Sequence, residues 1–278
     1  MSVNDQVLLD PKPKVFSGKN ALKKAAALWF IVAVTGQWIF ATYVALFYGG
    51  AAIDNDFMKW NRVLPHGYVE GQTMGNIAVG IHVFFAVAIL LGGPLQFIPF
   101  IRNRFRKFHR INGRMYVTTM VLVSLSGIYM VIAKGTISGL IGDISVSLNG
   151  VLILAFAYLT IRTAIGRNFK IHNQWAFRLF LVANGVWFFR IGLMFWLLVN
   201  DGPVGFDPET FRGPFLVFLG FGQYCIPLLI YEFYLRANKH EILWQKLTLT
   251  AVLVISSLIT AIGIFAATMG MWLPRITG

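Results

Sequence analysis

Seven stretches of this chain are long and apolar enough to cross a membrane: residues 24–49, 76–100, 113–133, 147–166, 174–199, 213–236 and 247–273. About 30 Å of hydrocarbon takes roughly 20 apolar residues in helical form. Inside lipid every backbone N–H and C=O must find a partner within the protein, so such runs fold as helices. The expectation is an all-α integral membrane protein with about seven transmembrane helices. Residues 21–278 would form one polytopic bundle behind a flexible tail at 1–20. Composition agrees. The chain is 57% hydrophobic and only 13% charged, whereas a soluble domain carries about a quarter charged residues. Its 25 Phe and 8 Trp suit lipid-facing surfaces and interfacial belts.

The net charge of +13 would suggest nucleic acid in a soluble protein. Here the cations alternate between loops. Lys12, Lys14, Lys19, Lys23 and Lys24 precede the first span, and Arg102, Arg104, Arg106, Lys107 and Arg110 follow the second. Arg162, Arg167 and Lys170 follow the fourth, and Arg236, Lys239 and Lys246 follow the sixth. The intervening loops hold most of the acids. The positive-inside rule then places the N-terminus in the cytoplasm and the C-terminus outside, in a bacterial inner membrane, with the bilayer rather than nucleic acid as partner. The first span is too long for a signal-peptide core and has no clear small-x-small cleavage site, so it reads as a retained anchor. A retinal Schiff base is excluded because the last span contains no lysine. The single cysteine, Cys225, rules out an intrachain disulfide and a Cys-x-x-Cys pair.

Polar residues inside the spans are costly and mark candidate sites. His82 lies about 9 Å from the start of the second span, and Gln96 shares its face about 21 Å further along. Pro94, after Gly92 and Gly93, is expected to kink that helix. Arg190 sits among apolar residues in the fifth span and requires an acid, a carbonyl cluster or an anionic ligand. His82, Gln96 and Arg190 are read as one ligand, proton or catalytic site. The loop at 50–75, with Trp60, Pro65, His66 and Tyr68, is a candidate cap.

His109 and His172 both open helices at the basic end. Two neutral imidazoles from neighbouring helices are what a b-type haem iron requires in a bundle. His109 and His172 are therefore candidate axial ligands. Arg110, Arg114 and Arg178 are candidates to hold the propionates, and Trp175 lies beside them. The same histidines also suit helix capping or contact with lipid phosphate.

His82, Gly93-Pro94-x-Gln96-Phe97, Arg102, His109-Arg110-x-x-Gly113-Arg114, His172-x-x-Trp175-x-x-Arg178 and Arg190 together resemble a bacterial predicted membrane-protein family, domain of unknown function 2306, over about residues 75–195. The resemblance implies a membrane site and no particular activity. The His-Arg-x-x-Gly-Arg segment is also weakly similar to haem A synthases, in which such a segment supplies an axial histidine. Arg106, Lys107 and Phe108 stand where that family has an acid. The leading functional expectation is an inner-membrane haem b protein in electron transfer or membrane-bound oxidoreductase chemistry, with a quinone. The alternatives are a transporter or receptor for a small anionic ligand, and a scaffold or assembly subunit acting with a membrane-protein partner or a second copy of itself.

Overall fold

The computed structural model describes residues 18–64 and 67–277. His66 and most of the expected tail lie outside the described residues. The described chain is helical: α1 (Lys19–Ile53), α2 (Thr73–Leu95), α3 (Pro99–Arg104), α4 (Arg106–Lys134), α5 (Gly139–Ile165), α6 (Phe169–Ala183), α7 (Gly185–Val199), α8 (Pro214–Lys239), α9 (Leu243–Ala267) and α10 (Leu273–Thr277). A short 3-10 turn at Phe57–Arg62 and a π-helical turn at Thr268–Trp272 complete it.

Six helices are long and apolar enough to cross a membrane. A seventh crossing results if α6 and α7, bent by 51° at Asn184, form one broken span. The chain is thus a multi-pass membrane protein. Phe84, Leu122, Ile165 and Phe233 are exposed on its perimeter, which in a bilayer is the lipid-facing side.

The helices α1, α2, α4, α5, α8 and α9 pack in a closed succession, each against the next, and α9 returns to α1. The broken span fills the middle. Leu179, Phe180, Leu181 and Val182 of α6 and Trp187 of α7 are almost fully buried. The half α6 packs on α5 and α8, and α7 packs on α8 and α9. α5 packs on both α4 and α6, the two helices that carry the candidate axial histidines.

Close helix contacts explain several glycines. Gly92 and Gly93 admit Asn112 and Tyr116 of α4 against α2, and Asn112 Nδ2 donates to the Gly92 carbonyl at 2.8 Å. Pro94 does not kink a continuing span as expected. It stands in the last turn of α2, which ends at Leu95, and the Phe97 N–H closes a turn onto the Pro94 carbonyl at 3.0 Å. Pro94 withholds the N–H that the Leu90 carbonyl would otherwise receive, and because the helix ends one residue later no following turns are left to be redirected.

The break between α6 and α7 has no proline. Its residues are Asn184 and Gly185, a turn-forming pair inside an apolar run. The Asn184 side chain donates to the Phe180 carbonyl at 2.7 Å, satisfying one carbonyl at the end of α6. Gly185 is pinned between Asn149 of α5 and Gln223 of α8, each within 3.4 Å of where a Cβ would sit.

Candidate functional site

Polar side chains gather at three places in the bundle: the basic end, the helix break and the opposite end.

At the basic end, Gln96 follows α2 and faces the first turns of α4. Its amide oxygen must meet two obligatory donors, Asn112 Nδ2 at 2.5 Å and the Gly113 N–H at 3.2 Å. Its amide nitrogen then donates to His109 Nδ1 at 2.9 Å and to the His109 carbonyl at 3.2 Å. With Nδ1 accepting, a neutral His109 carries its proton on Nε2. His172 has the opposite arrangement. Its Nδ1 lies 3.0 Å from the Thr160 carbonyl. A carbonyl only accepts, so Nδ1 carries the proton and Nε2 keeps its lone pair. The two histidines are close enough to interact electrostatically. Arg178 Nε donates to Glu232 Oε1 at 2.6 Å. Its guanidinium lies 4.4 Å over the Trp175 ring and 5.5 Å from that of Tyr231. Arg110 and Arg114 are exposed on α4.

Around the helix break, Ser145 and Asn149 of α5, Asn184, and Gln223 of α8 are all buried. Gln223 Nε2 donates to the Gly220 carbonyl at 2.7 Å, which leaves Gln223 Oε1 without a partner, as are Asn149 Oδ1, Asn184 Oδ1 and Ser145 Oγ. These groups add polarity in mid-bundle without charge.

At the opposite end, Arg190 of α7 points toward the second half of α1. Its guanidinium carbon lies 5.3 Å from the Phe40 ring, and it interacts electrostatically with Tyr43, Tyr48 and Arg275. No acid lies within ion-pair distance of it among the described residues. Trp272, in the π-helical turn, stacks on Tyr43 at 6.1 Å and packs on Phe40 at 5.0 Å. The Tyr43 hydroxyl and the Trp272 indole N–H are buried and unpartnered. Both are 4% exposed or less. Among the described residues the cluster therefore holds two guanidinium groups, an indole N–H and phenol hydroxyls, and no carboxylate. The phenol oxygens can accept, but the cluster is rich in donors and short of negative charge.

The expected grouping of His82, Gln96 and Arg190 divides accordingly. Gln96 sits with His109, and Arg190 sits with α1 and the C-terminal turns. His82 is half-buried and makes no hydrogen bond or ion pair among the described residues. Thr160, Tyr43 and Trp272 carry no signal of their own in the sequence, whereas Glu232, an acid near the inner end of the sixth span, reads there as part of the basic-end layer and at the wrong depth for Arg190. Tyr43 and Trp272 lie far along the chain from Arg190, and Thr160 meets His172 across the turn between α5 and α6. The loop after α1 packs down on that helix through Trp60 Nε1, which donates to the Tyr48 carbonyl at 3.2 Å.

Groups of three or more His, Cys, Asp or Glu suited to a metal ion are absent among the described residues. Comparison with curated proteins and with solved structures returned no match, so the resemblance to haem A synthases gains no support. Residues 79–205 match the family model described as predicted membrane protein, DUF2306, a segment that includes His82, both helix-opening histidines and Arg190.

Proposed function

We propose that the protein binds a small anionic ligand at Arg190, as a membrane transporter or receptor. The observation that carries this reading is a cationic, donor-rich cluster with no counter-charge among the described residues. A guanidinium in an apolar setting requires a counter-charge, and buried N–H and O–H donors left unpaired cost about 1–3 kcal/mol each. The Phe40 face offers cation–π attraction to Arg190, but it accepts nothing from the Tyr43 hydroxyl or the Trp272 indole. A carboxylate supplies acceptors in the planar, two-pronged geometry that suits guanidinium. With the basic loops in the cytoplasm, the site faces the other side of the membrane.

The test is a thermal-shift titration of the protein in nanodiscs with short monocarboxylates and inorganic phosphate, followed by uptake into proteoliposomes. At least one anion is expected to stabilise the protein, and Arg190→Gln is expected to abolish the shift. A panel that shifts neither protein sinks the reading.

A second reading, a single b-type haem serving electron transfer with a quinone, is favoured by one observation. The carbonyl-anchored Nδ1 of His172 leaves Nε2 free, as in histidines that bind metals. The rest of the set does not fit as it stands. His109 has its Nδ1 engaged by Gln96 and its proton on Nε2, and Arg178 is already paired with Glu232. Oxidised and dithionite-reduced absorbance spectra of protein purified from haem-replete cells decide this reading. A Soret band lost in His172→Ala supports it, and a flat spectrum removes it.

A further inference from the structure

A cavity separate from the Arg190 cluster runs beside the broken span. It has a volume of about 1110 Å³ and lies between α1, α6, α7, α8 and α9. It is partly open, and its lining residues Phe218 and Ile226 of α8 and Ile259 of α9 are exposed on the perimeter, which puts an opening on that side. The bent pair supplies one wall of it, through residues on both sides of Asn184. Its lining runs from Asn173 in α6 to Trp196 in α7, about 35 Å of helix rise, which the 51° bend shortens to about 31 Å end to end, close to the hydrocarbon thickness of a bilayer. Its walls are aromatic and aliphatic, with Phe30, Phe177, Phe188 and Phe218 among them. Its volume exceeds the range of about 300–1,000 Å³ usual for small-molecule pockets.

The slot is mostly apolar, with Gln223 and Thr260 partway along it, and cationic at one end. Lys23 and Arg102 line it at the basic end, beside Asn173. Neither has an acidic partner among the described residues. The slot thus combines a bilayer-length, mostly apolar wall, an opening along its side and two unpaired cations at headgroup level.

We infer that the slot holds one anionic phospholipid of the surrounding membrane, with its phosphate between Lys23 and Arg102 and its acyl chains along Phe177 and Phe188. The side opening lets a bilayer lipid enter without leaving the membrane. The two cations select an acidic headgroup over a zwitterionic one. This inference does not depend on an anion at Arg190.

The experiment uses the full chain in phosphatidylcholine nanodiscs doped with phosphatidylglycerol or phosphatidylcholine brominated on its acyl chains, which quench nearby tryptophan fluorescence. Trp29 and Trp196 line the slot and are the reporters. Brominated phosphatidylglycerol is expected to quench at lower mole fraction than brominated phosphatidylcholine. Each cation near a phosphate contributes about 1 kcal/mol, so the double variant Lys23→Gln/Arg102→Gln is expected to reduce that preference about tenfold or more. Lys239→Gln, at the same end but outside the slot, is expected to keep it. Trp29→Phe/Trp196→Phe is expected to remove the selective component. Ala27→Phe, which narrows the slot while keeping its charges and adds no tryptophan reporter, is expected to weaken quenching by both lipids. Equal quenching by the two headgroups would mean annular lipid only and would overturn the inference. So would a preference that survives the double variant.

Discussion

Arg178 and Glu232 meet at 2.6 Å, and through them α6 is tied to α8 at the basic end. Arg178 is the more buried partner, at 13% side-chain exposure against 40% for Glu232. Removing the carboxylate leaves a guanidinium held over Trp175 with its best acceptor gone. Hydrogen bonds to charged groups are worth about 1.5–3 kcal/mol, and the exposure of Glu232 moves the expectation to the lower end. Glu232→Gln should therefore lower the unfolding midpoint in detergent. Arg178→Lys should not restore it, because an ammonium reproduces neither the Nε geometry nor the stacking on indole. Circular-dichroism melts of the variants decide the point.

A second prediction concerns the contact of α7 with α9. A Cβ on Gly263 would stand 2.5 Å from the Ile191 carbonyl oxygen. That obstacle is backbone and has no rotamer through which to yield. Gly263→Ala is expected to cost about 1–3 kcal/mol. Gly49→Ala, where nothing lies within 4 Å, is expected to be neutral or slightly stabilising, since alanine is the better helix former. Equal melting temperatures for the two variants would show that the helices separate at no cost.

The histidines at the basic end should differ in tautomer. In protein labelled with ¹⁵N at histidine, solid-state spectra at neutral pH are expected to show one ring protonated at Nε2 and another at Nδ1, assigned by His109→Gln and His172→Gln. Gln96→Leu should release His109 from its tautomer and leave His172 unchanged. A His109 protonated at Nδ1 in the unmodified protein would contradict the orientation of the Gln96 amide, and would reopen His109 as a ligand through Nε2.

Glu241, in the turn between α8 and α9, yields a prediction about pH. The Lys246 ammonium beside it, at 2.6 Å, holds its carboxyl below the usual carboxylate value of 4.5. A group with a lowered folded-state pKa contributes stability that is present above its unfolded value and lost as pH falls through the folded one. The melting temperature should therefore decline as pH drops below about 4.5, and Glu241→Gln should remove part of that decline while lowering stability at neutral pH. Melts across that range test it. An unchanged acid slope in the variant would assign the decline to other carboxylates.

Much of the fold was legible because the membrane imposes a length and a polarity that show directly in the sequence. All seven apolar stretches correspond to helical spans. The break in the fifth was missed although its signal was present, since Asn184-Gly185 is a turn pair. It was masked by apolar residues on both sides, which satisfy the length criterion regardless of a bend. The end of α2 was misplaced for the converse reason. Apolar residues continue past Leu95, but Pro94 and the turn at Gln96 stop the helix there. The candidate sites were legible only by type. Arg190 announced that it needed a partner, yet Tyr43 and Trp272 resemble any other aromatic residue of a lipid-facing helix until the fold brings them together. Gln96 and His109 were both noticed but not as a pair, because depth along one helix says nothing about which neighbour its last turn faces.

The bend at Asn184 has a consequence for how the chain is made. The two halves, α6 and α7, hold 15 residues each, which is shorter than the roughly 20 needed to cross the hydrocarbon alone. During synthesis neither half qualifies as a membrane segment, and the pair must be committed together. A further charged residue placed in either half, in addition to Arg178 of α6 or Arg190 of α7, would endanger more than the local packing. It would leave the translocating ribosome one crossing short, and α8 and α9, each competent to insert by itself, would enter the bilayer in inverted orientation.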